Sequence, residues 1–163
     1  MLYVEEGGRT LLLTGDGHHA DIIKGLEHIG KLDAADKKSG LHVNVLKVQH
    51  HASEHNLDLP FCRRVTADDY IFCGNGEHEN PDLEVIKAIA ASRFGGASQI
   101  SPNAEAGNAF KFRFNSSRPM TTKKAAKDHM TKVKKLCDQL QKKSGGRLTS
   151  QFLESGSSFV LKV

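Results

Sequence analysis

The 163-residue sequence predicts a domain of the α/β class, and two observations lead to that prediction. Short apolar runs with strand character alternate with segments in which apolar residues have helical spacing. Polar residues able to bind ligands follow directly after several of the apolar runs, as they do in layered α/β folds. Hydrophobic residues make up 38% of the chain and charged residues 26%, so we expect a globular protein with one main core.

The first elements that the sequence predicts are a β-hairpin, a helix and a strand. LYVEE and RTLLLTG flank the pair Gly7-Gly8, which supplies the positive φ angles of a tight turn. In ADIIKGLEHIG the isoleucines and Leu26 have helical spacing, and Gly30 suits the end of that helix. After a polar loop, LHVNVLKVQ predicts a strand that begins at Leu41.

The middle of the chain continues the same alternation. A short helical turn is expected over residues 57–65, followed by a strand in DDYIFCGNG that ends in a glycine-rich loop. Pro81 has a favourable first-turn position for a helix over PDLEVIKAIAASR. SQIS and AFKFRF predict two later strands.

Residues 121–143 predict a basic amphipathic helix. Thr121 or Thr122 suits its N-terminal cap, and Gly145-Gly146 suits its end. RLTSQFLESGSSFVLKV then predicts a closing hairpin. Apolar residues recur along the helix at steps of four and three, at Ala126, Met130, Val133, Cys137 and Leu140.

The distribution of charge divides the chain into two parts. Residues 1–105 hold 10 Lys and Arg against 16 Asp and Glu, a net charge of −6, whereas residues 106–163 hold 13 against 3, a net charge of +10. We therefore predict a core domain over residues 1–105 and a basic C-terminal extension over residues 106–163 that packs on it. The extension could bind nucleic acid through the phosphate backbone, or it could be a solvated helix whose apolar stripe docks on the core.

The sequence also predicts a cytoplasmic protein. No run approaches the roughly 18 apolar residues of a membrane span. The start, MLYVEEGG, lacks the basic region and apolar core of a secretory signal. Cys62, Cys73 and Cys137 are far apart and form no CxxC pair, so we expect free thiols in a reducing compartment.

Three segments that follow predicted strands carry the candidate functional residues. LLLTGD ends in Asp16, QHHAS contains His50 and His51, and the loop CGNGEHENPD contains His78. Because ligands collect beyond strand ends, these side chains are expected to converge, and carboxylates and imidazoles bind zinc and similar metals. Plainer interpretations stay open: Asp16 as a turn or capping residue, the histidine pair as one packed and one exposed residue, and His78 as a surface residue.

The order LLLTGD, LKVQHHAS and GEHENPDLEVIKAI resembles the C-terminal half of the metallo-β-lactamase fold hydrolases, over roughly residues 3–95. Within that family it is most similar to the branch of ComEC-like and phosphorylcholine esterase-like proteins. The resemblance implies half of an αββα sandwich, a mixed sheet with flanking helices, and metal-dependent hydrolysis of phosphodiester or related ester bonds. It implies that Asp16 bridges two divalent metals, zinc or else manganese or iron, and that His78 ligates the second. It assigns His50 and His51 to catalysis at the substrate.

The sequence departs from the family pattern at several positions. Ala52 stands where the family usually has glycine, and two residues separate His78 from Pro81, where the family has His directly before Pro. The family motif His-x-His-x-Asp-His and a further metal-binding histidine before the TGD segment are absent.

These departures predict an incomplete metal site, because Asp16 and His78 alone are too few ligands. His18, His19 or His55 could supplement them. We therefore expect a chain that is inactive alone and possesses only the second half of the sandwich. Its uncovered sheet face should pair with the missing half or with another copy of the chain.

Overall fold

The computed structural model describes residues 1–156, 158, 160 and 161. Six strands and four α-helices alternate along the chain. The strands are β1 (Leu2–Glu6), β2 (Arg9–Leu13), β3 (Leu41–Lys47), β4 (Val65–Phe72), β5 (Phe110–Phe114) and β6 (Leu148–Phe152). The helices are α1 (His19–His28), α2 (Leu59–Arg64), α3 (Leu83–Phe94) and α4 (Lys124–Lys143).

The strands form one mixed sheet in which their spatial order is their order along the chain. β1 and β2 form the antiparallel hairpin that the sequence predicts, and every later pair of neighbours is parallel. Parallel crossovers are right-handed, so a sheet that grows in one direction collects its helices on one face. This sheet with flanking helices confirms the predicted α/β class, and β5 and β6 belong to the same sheet as the first four strands.

One hydrophobic core lies between the sheet and the helices. All four helices contribute to it, for example through Ile22, Phe61, Ile89 and Val133. The phenylalanines of β5 point into this core, and the ring of Phe114 stacks on a ring from each neighbouring strand, with centroid distances of 4.5 and 4.4 Å. One row of core residues crosses the sheet in register, and each is at most 1% exposed: Leu12, Leu46, Tyr70 and Phe112.

The opposite face of the sheet, the open face, is partly apolar and partly charged. Its side chains alternate with those of the core row, and none of the following row is buried: Leu13, Lys47, Ile71, Arg113 and Gln151. Arg113 also donates a hydrogen bond to the carboxylate of Asp69 on β4. Apolar surface therefore occupies only part of the open face, towards β1 and β2.

A buried arginine fastens the segment that precedes β5. Arg93, on α3, is 1% exposed and donates hydrogen bonds to the hydroxyl of Tyr70 and to four backbone carbonyls. Its guanidinium group also lies over the ring of Phe110, 4.2 Å from the centroid. Three of the carbonyls belong to residues 105–108, so this one side chain ties that segment to α3 and the sheet.

Helix α4 buries the predicted apolar stripe. Its first four members are at most 2% exposed, and Leu140 packs against the core. The predicted threonine cap is wrong, because Lys123 occupies the cap position and provides no side-chain hydrogen bond. Gly145 and Gly146, with φ values of 63° and 87°, follow the end of the helix as expected. Among the described residues, no helix is both long enough and apolar enough to cross a membrane.

Four predicted elements differ from the structure. SQIS lies in a turn and not in a strand. Pro81 precedes α3, whose N-cap is Asp82, and β4 already begins at Val65. Of the closing hairpin, only β6 is a strand, and residues 153–156 are not. Part of its predicted second strand (residues 157, 159, 162 and 163) lies outside the described residues.

Candidate active site

The segments that carry the candidate residues meet at the carboxyl edge of the parallel strands. The N–H of His50 donates to the carbonyl of Gly15 at 3.0 Å, which places the segment after β3 beside the segment after β2. The N–H of Val48 donates to the carbonyl of Ile71 at 2.9 Å, which aligns the ends of β3 and β4. The expected convergence of strand ends is therefore present at the level of the backbone.

His51 and His78 line one cavity of about 300 Å³, which we call the histidine cleft. Both side chains are exposed. Of the described residues, neither Asp16 nor His50 belongs to its lining. The other lining residues come from the loop after β4 and from the turn after β5: Cys73, Gly74, Asn75, Glu77, Asn80 and Asn115.

The tautomer of the neutral His51 ring follows from its hydrogen bond. Its Nδ1 lies 2.6 Å from the carbonyl oxygen of Cys73. A carbonyl only accepts, so Nδ1 carries the proton and the neutral ring has a free lone pair on Nε2. His51 therefore presents a nitrogen that can accept a proton or bind an electrophile.

Asn56 fixes His50 in the same form. The Nδ2 of Asn56 donates to the carbonyls of Asp16 at 3.2 Å and Gly17 at 3.5 Å, which leaves its Oδ1 to accept from Nδ1 of His50 at 2.8 Å. Asp16 itself is exposed, and His18 is the N-cap of α1, so Asp16 does not cap that helix. No sequence pattern predicts the role of Asn56, because that role depends on the path of the loop between β3 and α2.

Backbone strain is concentrated in the two loops that carry the cleft histidines. Among the described residues, the non-glycine residues with positive φ are His50 (42°), His51 (56°), Ala52 (66°), His78 (54°) and Glu79 (60°). The left-handed region costs such residues about 1–2 kcal/mol each. Strain of this kind persists where surrounding contacts enforce it, and it clusters at ligand sites.

The loop of His78 is held from both sides. The N–H of Asp82 donates to the carbonyl of Ala52 at 2.9 Å, which joins the two strained loops. The buried His129 of α4 lies 2.9 Å, through Nε2, from the carbonyl oxygen of Pro81. A Cβ on Gly76 would lie 2.5 Å from the carbonyl oxygen of Ala126, so this loop packs directly against the backbone of α4.

Cys73 also lines the cleft, but its thiol is a poor nucleophile. Burial raises the pKa of this thiol, and the opposing charge of Lys47 does not cancel the effect. The thiol therefore stays protonated near neutral pH, and the thiolate is the reactive form. The backbone carbonyl of Cys73, which orients His51, is its contribution to the site.

The metal pair that the family resemblance implies does not fit the residues of this chain. Within the described part of the chain, no group of three or more His, Cys, Asp or Glu side chains is placed to hold a metal ion. Zinc sites in proteins use three or four protein ligands. The Nδ1–H form of His51 suits a ligand, but the number of ligands is too small.

Comparisons of the chain with models of known protein families, with curated proteins and with solved structures find no match.

Proposed function

We propose that the histidine cleft is the substrate-binding part of a hydrolase that acts on phosphodiester or related ester bonds. In this proposal the chain corresponds to the C-terminal portion of a metallo-β-lactamase fold. The observation that supports it is that two exposed histidines with strained backbones, His51 and His78, line one cavity. The Nδ1 of His51 is bonded to a backbone carbonyl, which leaves its Nε2 free. His51 accepts a proton from an attacking water or, once protonated, returns it to the leaving oxygen.

The proposed role of His78 is to bind the substrate across the cleft from His51. A ring N–H of His78 donates a hydrogen bond to the negative charge that develops on a phosphoryl or acyl oxygen. Asp16 and His50 lie outside the cleft lining. Their proposed role is to hold the backbone of the segment that carries His51. The described residues do not supply three metal ligands, so we expect little hydrolysis by the chain alone.

Binding can be tested by imidazole NMR during titration with a nitrophenyl phosphodiester. We expect the side-chain signals of His51 and His78 to shift together with one saturation curve, and those of exposed His28 to stay unchanged. His51→Gln and His78→Gln should each weaken binding by about tenfold, as the loss of a charge-assisted hydrogen bond does. Equal shifts at His28, or none at the cleft, would contradict the proposal.

Metal analysis tests the family assignment separately. We expect the purified chain to retain no stoichiometric zinc. Zinc binding should appear when a polypeptide that carries the family motif His-x-His-x-Asp-His is added to the chain. Asp16→Ala and His78→Ala should then remove it, whereas His28→Ala should not. Zinc binding that is insensitive to both variants would refute the ligand roles that the family resemblance implies for Asp16 and His78.

A second candidate function is nucleic-acid binding through α4. The helix docks its apolar stripe on the core and leaves basic side chains exposed, among them Lys124, Lys132, Lys135, Lys142 and Lys143. Affinity for a single-stranded oligonucleotide should then fall steeply between about 50 and about 200 mM salt. Neutral substitutions of three of these lysines should reduce the salt slope, and Lys24→Gln on α1 should not. Salt-independent binding would refute this candidate.

We further propose that the open face pairs with another polypeptide surface, either the missing half of the sandwich or a second copy. Leu11 and Leu13 of β2 are only half-buried there, and Leu2 of β1 is 55% exposed. Light scattering should detect association that rises with concentration. Leu13→Lys should abolish it, and Thr149→Lys on β6 should not. A chain that stays monomeric at every concentration would exclude the second copy.

A further inference from the structure

A second cavity, of about 500 Å³, lies at the opposite edge of the sheet from the histidine cleft, where β4 begins. Its apolar surface comes from Leu59, Pro60 and Pro102. Among the described residues, its lining contains no acidic side chain. Its polar lining consists of Ser98 and four basic residues: Lys37, Lys38, Arg63 and Arg64. We call it the basic cavity.

Arg64 is the structural support of the basic cavity. It is 9% exposed, and it donates to the carbonyls of Ser39 at 3.2 Å and Asp33 at 2.9 Å. Its Nη1 lies 2.7 Å from the carboxylate of Glu27, and this hydrogen bond is the main cause of the lowered pKa of Glu27. Glu27 therefore offsets the charge of Arg64, and the bonds of Arg64 hold the loop of residues 33–39 against α2.

The position of this loop places its two lysines, Lys37 and Lys38, at the rim of the basic cavity. Lys37 makes only a long contact with Glu27, 3.5 Å between Nζ and Oε1, and its side chain is 74% exposed. Asp33 and Asp36 lie in the same loop, where their carboxylates accept backbone N–H groups of Ala35 and Lys38. Within the described residues, Lys38 has no ion-pair partner.

Arg63 is anchored so that its two terminal nitrogens remain available. Its Nε donates to the carbonyl of Ile100 at 3.2 Å, and its own carbonyl accepts from the hydroxyl of Ser101 at 2.6 Å. In the part of the chain that the structure describes, Nη1 and Nη2 make no hydrogen bond. A guanidinium group held in this way presents a planar pair of donors that matches two oxygens of a phosphate group.

We propose that the basic cavity binds a small phosphorylated ligand. The phosphate group pairs with the free nitrogens of Arg63 and with Lys38, and the organic part packs on Leu59, Pro60 and Pro102. A doubly charged phosphate is favoured over a carboxylate because several cations surround the cavity. The volume exceeds what a bare phosphate fills, and the apolar surface suits a carbon skeleton. This site does not depend on the proposed function of the histidine cleft.

The test is a titration of the full chain with phenyl phosphate that is monitored through the backbone NMR signals. Sodium chloride holds the ionic strength constant. We expect saturable shifts in α2 and in residues 33–39, and weaker binding of inorganic phosphate, which cannot use the apolar surface. Arg63→Gln should weaken binding by about tenfold, because a charge-assisted pair is lost. Lys38→Gln should weaken it several-fold, and the matched control Lys24→Gln should leave it unchanged.

Four outcomes would overturn the proposal. The first three are shifts that sodium chloride alone reproduces, equal weakening by Lys24→Gln and Lys38→Gln, and shifts confined to the histidine cleft. Lys38 is exposed, so its substitution does not threaten folding and keeps the test decisive even if Arg63→Gln unfolds the chain. Loss of binding in the His51→Gln variant would likewise assign the ligand to the cleft.

Discussion

Ala52 has a φ of 66°, a backbone conformation that favours glycine. Its methyl group is fully buried in the core, and its carbonyl is bonded to the N–H of Asp82, so packing enforces the conformation.

Replacement of Ala52 tests how much this strain costs. Ala52→Gly should change the free energy of unfolding by less than about 1 kcal/mol, because relief of the left-handed strain offsets the lost methyl burial. The matched control is Ala67→Gly, at a fully buried strand position without positive φ, which should cost about 1.5–2 kcal/mol. Urea unfolding measures both values, and equal costs would show that the φ of Ala52 stores no strain.

At this scale the sequence predicted part of the site. His51 and His78 lie in one cavity because parallel strands end at one edge of the sheet. The strand assignments alone were enough to predict this. The orientation of the histidines was not predictable. It depends on the carbonyl of Cys73 and the amide of Asn56, and no spacing rule relates these groups to the rings that they hold.

Gly76, in the loop after β4, lies directly against the backbone of helix α4. Gly76 has a φ of 86°, and a Cβ there would lie 2.5 Å from a carbonyl oxygen of α4. The salt bridge between Lys123 and Glu77, 3.1 Å long, joins the same two elements at the surface. The position of His78 is therefore set by how closely the loop approaches the helix.

Gly76→Ala should destabilise the protein more than a glycine substitution in an open turn. Gly8 is the matched control, because its φ is 77° but a Cβ there has open space. Gly8→Ala should cost about 1 kcal/mol from backbone strain alone, and Gly76→Ala about 3 kcal/mol or more, since α4 must shift. Thermal unfolding compares the two variants. Similar costs would mean that the loop yields easily and does not fix His78.

Periodicity predicted α4, whose pattern is long, and the Gly7-Gly8 pair predicted the β1–β2 hairpin. Periodicity is a weaker guide for short segments. It failed for SQIS, which is short and has its hydrogen bonds satisfied locally. The side chain of Gln99 accepts from the N–H of Gly96 at 3.0 Å, and the N–H of Ser101 donates to the carbonyl of Ser92 at 2.8 Å. With these groups already paired, the segment has little to gain from a sheet.

For the whole molecule, the sequence predicted the class but not the extent of the sheet. The charge difference at residue 105 separates a basic region from an acidic one, yet β5 and β6 add to the same sheet and their phenylalanines share its core. Charge describes the surface, whereas strand pairing follows buried apolar residues. A boundary drawn from charge therefore carries no information about the core.

Burial of thiols predicts loss of stability at alkaline pH. Burial raises the pKa of Cys137 from 9.0 to about 12, and it raises the pKa of Cys62 as well. Between these pH values the unfolded chain releases a proton that the folded chain retains. The free energy of unfolding should therefore fall, by about 1.4 kcal/mol per pH unit for Cys137.

Below pH 9.0 this contribution is fully present and constant, because both states carry the protonated thiol. Denaturant unfolding at several alkaline pH values measures the slope. Cys137→Ala should reduce the slope whatever its effect on absolute stability, and Met130→Ala, at a buried position without an ionisable group, should not. Identical slopes in all three proteins would show that Cys137 titrates normally.

The unbroken succession of strands from β1 to β6 has a consequence for folding. Each strand bonds only to its immediate predecessor and successor, so assembly can advance from one unit to the next without a distant segment having to return. Loss of structure should begin at the two edge strands, β1 and β6, and reach the central strands last. Amide hydrogen exchange is expected to be slowest in β3 and β4, and faster in β1 and β6, each of which has a neighbour on one side only.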